Sequence, residues 1–508
     1  MKTTDLTLLL SEYKQLTSWK DIYQWQRVKS KGNTEIISEW LIRDFNSFTW
    51  NINGIRKDKF RIDDHHGFCS NQTDLSQLTE KRFCRALYNE HNIYQHPLLG
   101  LLLDYEIPLT EPNQAIKENH GEIDLISKRD GEMLLIEAKI SPSSESLLKA
   151  ILEIFFYITT LQHFKLLNQF FLEYKKDFSG MYFKGFVPCV LTFTNSTSGQ
   201  QLIEIQKYPK LIELISIINS TLKKMAIKQL EFYLVETTID DRSKFLRKGE
   251  ERIDKKGCKI LLNHYVDVKQ CFPDYDKKSY QDNLETKITT KEIEILLRSF
   301  FTYYRQDAIN YIIGRLNNLS LNFKKYNEIY PKNKASEALE ILIARDFPFR
   351  EAYTKIAKSY NCEELFELNF SLLNYHTIRT FVPIISKFKS DTILDKFIDL
   401  YYNIPIISTK DYDGISAKEI DLVAEEIIIK AICEYDSEKI VPILKKSLLV
   451  GIIGETKSIA INKLLKYTTK EEILELLPDF NDPNMGFVMA LTNQKTNADW
   501  VKEFLSKY

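Results

Sequence analysis

Polar residues take every second position at Glu122 and Asp124 within Gly121-Glu122-Ile123-Asp124-Leu125-Ile126, and again at Glu137 and Lys139 within the otherwise apolar Leu134-Leu135-Ile136-Glu137-Ala138-Lys139-Ile140. Joined across Asp130-Gly131, the two runs predict a β-hairpin, because both turn residues tolerate the positive φ of a two-residue type I′ turn. A turn at that point sets the register: Arg129 opposite Glu132, Ile126 opposite Leu135, Asp124 opposite Glu137, and Glu122 opposite Lys139. Strand side chains alternate between faces, so Glu122, Asp124, Leu135, Glu137 and Lys139 share one face. Ile123, Leu125, Ile136, Ala138 and Ile140 share the other, which turns to the core.

The flanking pattern predicts a helix from Asp74 to His91 and a strand from Leu101 to Leu109. After the hairpin, the hydroxyl and proline cluster Ser141-Pro142-Ser143-Ser144 starts a helix that carries the apolar stretch Leu147 to Phe164. A strand from Phe186 to Phe193, a helix from Leu211 to Met225 and a strand from Leu230 to Val235 complete the series. Residues 74–240 thus form an α+β core with the element order αβββαβαβ. Residues 1–73 precede it as an accessory segment with four of the five tryptophans, Trp19, Trp25, Trp40 and Trp50. These rings suit a small accessory core; beside Lys20, Arg27, Lys29 and Lys31 they could also stack on unpaired bases.

Residues 241–285 read as a charged connecting segment. Arg242, Lys244, Arg247, Lys248, Arg252, Lys255, Lys256 and Lys259 offer phosphate contacts there, but Asp240, Asp241, Glu250, Glu251 and Asp254 dilute them, as in a solvated linker. From 286 to 508 the pattern is all-α. Thr289 with Glu292, Ser416 with Glu419, and Thr468 with Glu471 fit capping boxes ahead of apolar stripes such as Ile293, Leu296, Leu297, Phe300 and Phe301. About a dozen short helices are expected, paired as an irregular solenoid or curved bundle similar to HEAT-like arrays. Such a surface suits a protein partner or self-association.

Composition narrows the class. The chain has 508 residues, 44% hydrophobic and 27% charged, which is ordinary for a globular protein of several domains. A net charge of -1 argues against indiscriminate coating of nucleic acid and permits a local basic surface. Seven scattered cysteines without a Cys-x-x-Cys pair point to a reducing compartment and away from zinc. No stretch approaches the roughly 18 apolar residues of a membrane span, so a cytoplasmic protein with no membrane partner is expected. Gly451-Ile452-Ile453-Gly454-Glu455-Thr456-Lys457-Ser458 imitates a phosphate-binding loop, but β-branched Thr456 stands where the motif needs glycine. No nucleotide cofactor is expected. The histidines of Asp63-Asp64-His65-His66-Gly67 lack spaced partners for a metal.

The chemistry lies in the hairpin. Opposed strand residues have Cβ atoms about 4.5–5.5 Å apart, and like charges placed there destabilise the pair. A hard divalent cation resolves the repulsion of Asp124 and Glu137, since Mg²⁺ takes one or two carboxylates together with water and phosphate. The competing reading is a solvent-exposed charged face in which Glu122 and Lys139 form a cross-strand ion pair; the apolar flanks and the following helix favour a covered sheet.

Ile123-Asp124 followed by Glu137-Ala138-Lys139, within the order αβββαβαβ, resembles the active-site hairpin of the PD-(D/E)XK nuclease superfamily, although the proline is missing. The resemblance covers about residues 74–240 and implies a restriction-endonuclease-like core. It implies Mg²⁺ or Mn²⁺ held by Asp124, Glu137 and the Ala138 main-chain carbonyl, with Lys139 orienting water or stabilising developing charge. On the next helix Lys149, Glu153 and Tyr157 recur every four residues and line one face; some branches carry Gln and Tyr at this spacing, and here Glu153 and Tyr157 occupy it, where core and rim roles compete with chemistry. Members also place a Glu on the first helix, which matches Glu80; an ordinary helix-start role favoured by the dipole is the alternative. The expected activity is metal-dependent hydrolysis of phosphodiester bonds, with DNA favoured over RNA, as a nuclease (endo- or exonuclease) of restriction or phage defence, with DNA repair as the alternative role. The competing class is a non-catalytic scaffold that uses a nuclease-like fold for binding.

Overall fold

In the computed structural model, Asp130 and Gly131 take φ values of 51° and 87°, the two successive positive angles of a type I′ turn. The structure describes residues 3–50, 53–62, 78–111, 120–140, 143–236, 245–249 and 259–315, and, further on, chiefly 348–357, 391–402, 417–448 and 454–469. The chain divides into two units, Met1–Lys287 with Ile295–Asp307, and Ile288–Glu294 with Ala308–Tyr508.

The first unit is built on strands β1 (Leu101–Pro108), β2 (Glu122–Arg129), β3 (Glu132–Lys139), β4 (Gly185–Phe193), β5 (Glu231–Glu236), β6 (Leu246–Lys248), β7 (Ile260–Leu262) and β8 (Asp267–Cys271). Six of them make a mixed sheet in the order β1-β2-β3-β4-β5-β8, and β6 with β7 forms a separate ribbon. The turn enforces the expected register, from Arg129 opposite Glu132 to Leu125 opposite Ile136. From β3 onward the pairing changes: β3, β4 and β5 run parallel, and β8 closes antiparallel on β5. Parallel neighbours need crossover connections, and helices supply them.

Those helices are α5 (Leu147–His163) and α6 (Leu167–Tyr174) between β3 and β4, then α7 (Thr197–Ile203) and α8 (Pro209–Lys224) between β4 and β5. They follow α1 (Thr3–Tyr13), α2 (Trp19–Gln24), α3 (Thr34–Asp44) and α4 (Glu80–His91). Every residue of α5 from Leu147 to Leu161 is buried. At roughly 1.5–3 kcal/mol for each large apolar side chain removed from water, this helix dominates its side of the sheet. The Ser146 hydroxyl caps it by accepting from the Lys149 amide, and Lys165 at φ 60° ends it in a left-handed turn.

On the opposite face, Phe83, Cys84 and Leu87 of α4 pack with Leu125, Ile136, Ala138 and Leu191, and with Leu246 and Ile260 of the ribbon. The apolar side of the hairpin is therefore the core side, as its alternation predicts. α4 begins at Glu80 behind the capping hydroxyl of Thr79, later than the expected start at Asp74, since the described Leu78 and Thr79 are not helical.

Two segments differ in character from their sequence patterns. The tryptophan-rich segment shares its core with α5: Trp19 meets Phe155 edge-on at 5.1 Å between ring centroids, and Tyr23 stacks on Phe156 at 4.5 Å. Within 241–285, read as a charged connection, lie β6, β7 and the sixth sheet strand, β8. Its sequence Asp267-Val268-Lys269-Gln270-Cys271 carries too few apolar positions to signal a strand, and pairing with β5 imposes it.

Outside the first unit the described structure is helical, including Asp391–Tyr402, Ala417–Ile432, Val441–Leu448 and Gly454–Leu464. Among the described residues from 308 onward there is no strand. Thr289 caps its helix through the Glu292 amide, whereas Thr469 and not Thr468 accepts from the Glu472 amide. Ser416 lies outside the described residues. Gly454 to Ser458 of the phosphate-loop-like stretch are helical, and 451–453 lie outside the description. Among the described residues no single helix is long and apolar enough to cross a membrane.

Candidate functional site

Beyond Leu125 and Ile136 the ladder between β2 and β3 stops, although β2 still pairs with β1 as far as Glu122. The fork has a local cause. Asp124 Oδ2 accepts the Ala138 amide at 2.7 Å, so a carboxylate takes the donor that an ordinary neighbouring strand would use. Asp124 and Glu137 are therefore brought to one fork through the backbone between Glu137 and Lys139.

Lys139 is the centre of the site. Only 4% exposed, it donates from Nζ to Glu137 Oε1 at 2.7 Å, with Glu137 itself 3% exposed. The same ammonium lies 3.1 Å from Glu153 Oε2, 3.4 Å from Glu145 Oε2 and 3.8 Å from Glu80 Oε2. Three elements supply these acids: β3, the start of α4, and α5 with the residue pair ahead of it. Glu153 Oε1 is held by Lys149 Nζ at 2.6 Å, and Glu145 Oε1 by Lys29 Nζ at 2.9 Å.

The electrostatics follow from crowding acids into a dry place. Burial, reinforced by the charge of Glu80, pushes Asp124 well above the usual carboxylate range, against the pull of Lys139 and the Ala138 amide. Burial and the nearby charge of Asp124 do the same to Glu137. Glu80 is raised by burial in spite of Lys139. Glu153 goes the other way: burial would raise it, but Lys139 and Lys149 together hold it below its ordinary value. Lys139 loses hydration on burial, yet Glu137, Glu153, Glu80 and Asp124 keep it protonated far above the usual lysine range.

No donor of the protein reaches the buried Oε2 of Glu137. A proton on Glu137 can be shared with Glu153, the hydrogen bond that also helps to lower Glu153. The oxygen donors of Asp124 and Glu137 are of the kind that suits a hard divalent cation. Among the described residues, however, no group of three or more His, Cys, Asp or Glu side chains is arranged to hold a metal ion. The fit rests on the carboxylate pair Asp124 and Glu137, beside which the buried Oε2 atoms of Glu137 and Glu153 both lack a hydrogen-bond donor from the protein.

The structure thus gathers Asp124, Glu137, Lys139, Glu80 and Glu153. Tyr157, buried one turn beyond Glu153, sets its hydroxyl against Gly121, where a Cβ would collide with it. The φ of +85° at Gly121 likewise suits glycine. Ala138 contributes its amide to Asp124, and its methyl group lies in the core. Glu122 is not part of the cluster: it is exposed and pairs with Lys81 at 3.1 Å, so the cross-strand pair with Lys139 does not form. Of the basic run after the core, Arg247 and Lys248 are exposed on β6; Arg242, Lys244, Arg252, Lys255 and Lys256 lie outside the described residues, as do His65 and His66.

Glu145, Lys29 and Tyr23 were absent from the sequence reading of the site, which set Lys149 on one face with Glu153 and Tyr157 by four-residue spacing but gave it no role; Lys29 and Tyr23 depend on the distant N-terminal segment folding over α5. In comparisons with protein-family models, with curated proteins and with solved structures, no match to this chain is found.

Proposed function

We propose that this chain is a divalent-metal-dependent nuclease of the PD-(D/E)XK kind, hydrolysing phosphodiester bonds. One observation carries the reading: Asp124 and Glu137 meet at a fork of two strands, with Lys139 donating to Glu137 and one buried Glu137 oxygen left without a donor. Acids raised by mutual charge and burial are typical of functional sites, because the fold retains a repulsion that a leucine would remove.

In this reading Asp124 and Glu137 supply the hard oxygen ligands, with the Ala138 main-chain carbonyl as the resemblance implies. The bound ion polarises the phosphate and makes water more acidic. Lys139, held by Glu137, Glu153, Glu145 and Glu80, orients water or meets charge developing on the phosphate. α5 keeps bulk water from one side of the site. DNA as substrate, endonucleolytic action, and a role as a restriction or phage-defence effector follow from the resemblance and from the attached helical part, by analogy. That helical part, of HEAT-like character, would bind a partner or a second copy.

A second reading, a binding protein without catalysis, is favoured by the saturation of Lys139: four carboxylates surround an ammonium that has only three protons to donate. Purified protein incubated with plasmid and single-stranded DNA and RNA, with Mg²⁺, Mn²⁺ or chelator, separates the two. Cleavage that needs metal and disappears in Asp124→Asn and Lys139→Ala supports the nuclease. Intact substrate in every condition supports the binding protein.

A further inference from the structure

Two chains of contacts run from the N-terminal segment to the same buried ammonium. In the first, the Tyr23 carbonyl accepts from Lys149 Nζ at 2.6 Å, and Lys149 binds Glu153 Oε1 at 2.6 Å. Glu153 Oε2 then faces Lys139 at 3.1 Å. In the second, Lys29 binds Glu145, whose other oxygen lies 3.4 Å from Lys139. The backbone of the same turn is fastened to the start of α5: the Ser146 amide donates to the Lys29 carbonyl at 2.8 Å, and the Ser146 hydroxyl to the Val28 carbonyl.

Lys149 is an unusual resident of a helix whose buried residues are mostly leucine, isoleucine and phenylalanine. It is 4% exposed, and its ammonium sits 4.8 Å from the centre of the Tyr23 ring. A buried lysine costs several kcal/mol of desolvation unless partners return it. Here the partners are one carbonyl, one ring face and one carboxylate, and only the carboxylate belongs to the site. A glutamate at 153 without Lys149 would add another unbalanced acid to a crowded cluster, and its side chain would be free to turn away.

We infer that Lys149 is a positioning residue: anchored on the Tyr23 carbonyl, it fixes Glu153 so that its second oxygen orients Lys139, which makes the N-terminal segment a working part of the site. The inference rests on the nuclease reading for its effect on rate, but its geometry stands apart from that reading.

The test compares wild type with Lys149→Met, Glu153→Gln, the double variant and Lys149→Arg. Two readouts are used: kcat and KM for Mg²⁺-dependent DNA cleavage, and the side-chain ammonium resonance of Lys139 in ¹⁵N-labelled protein, assigned by its loss in Lys139→Met. Outer partners of metal-site groups are worth about 10–100-fold, so Lys149→Met should lower kcat by that factor with KM nearly unchanged. Lys149→Arg should recover part of it, and the double variant should be no slower than Glu153→Gln alone. The Lys139 resonance should shift in Lys149→Met as it does in Glu153→Gln. Multiplying losses in the double variant, or a wild-type resonance in Lys149→Met, overturns the inference. If Lys149→Met does not fold, the comparison of the double variant with Glu153→Gln decides. If wild type cuts nothing, the nuclease reading fails and the resonance alone decides the positioning role.

Discussion

Glu137 and Lys139, two residues apart on β3 and both almost fully buried, share a charge-assisted hydrogen bond of 2.7 Å, while the second oxygen of Glu137 meets no donor. A buried ion pair with a spare acceptor is poor economy for stability alone. It indicates where charge can be removed with a gain.

Asp124→Asn is the cleanest such change, since the amide oxygen can still accept from Ala138 while the negative charge is gone. The metal-free protein should melt at a higher temperature, because the variant removes a charge that burial and Glu80 both oppose. Thermal melting in chelator checks this. Metal-dependent cleavage should vanish in the same variant.

The raised acids also set a pH dependence. Asp124, Glu137 and Glu80 have folded-state pKa values above their unfolded ones, so their stabilising contribution is present in acid, below the unfolded values. It is lost as pH rises through the folded values. Glu153, lowered in the fold, contributes in the opposite sense and loses its share as pH falls. The melting temperature in chelator should therefore decline as pH rises through the raised values, and Mg²⁺ should reduce the decline. Calorimetric titration with Mn²⁺ in buffers of different ionisation enthalpy should detect protons released on binding; release of none would contradict the proposed ligands.

At the other end of the same hairpin, Arg129 reaches Glu132 at 2.8 Å, Glu231 at 3.0 Å and the Leu98 carbonyl at 3.1 Å, with the Tyr233 hydroxyl also in contact. Arg129→Met leaves acids behind without their fork and should cost about 3 kcal/mol. Urea unfolding measures it. Metal affinity should be unchanged, because the site lies beyond the far end of the strands.

Gly121→Ala should destabilise by about 1–2 kcal/mol from its left-handed backbone alone, and more from the collision with Tyr157. Tyr157→Phe removes the hydroxyl, so the alanine should cost less in that background. Equal costs in both backgrounds would show that the ring does not pack as described.

The hairpin was legible because its information is local. Asp130-Gly131 dictates the turn, the turn dictates the register, and alternation separates the acids from Leu125, Ile136 and Ala138. Strands β1 to β5 and helices α5 and α8 were legible as apolar runs bounded by turn and cap residues, whereas the short helices α6 and α7 were not read from the sequence. The ties of Lys149 and Glu145 to the N-terminal segment were not legible, and neither was β8. Lys149 depends on Tyr23 and Glu145 on Lys29, each more than a hundred residues away, and β8 on the edge that β5 offers; no periodicity encodes such meetings. The end of the ladder at Leu125 was also hidden, since alternation continues straight through the point where the strands part.

That parting ties shape to charge at one position. A side chain at 124 unable to accept a hydrogen bond would leave the Ala138 amide looking for a strand, and β2 would be free to pair onward and close the fork. An aliphatic residue at 124 would thus lose the fork together with the carboxylate, whereas asparagine would keep the fork and drop the charge.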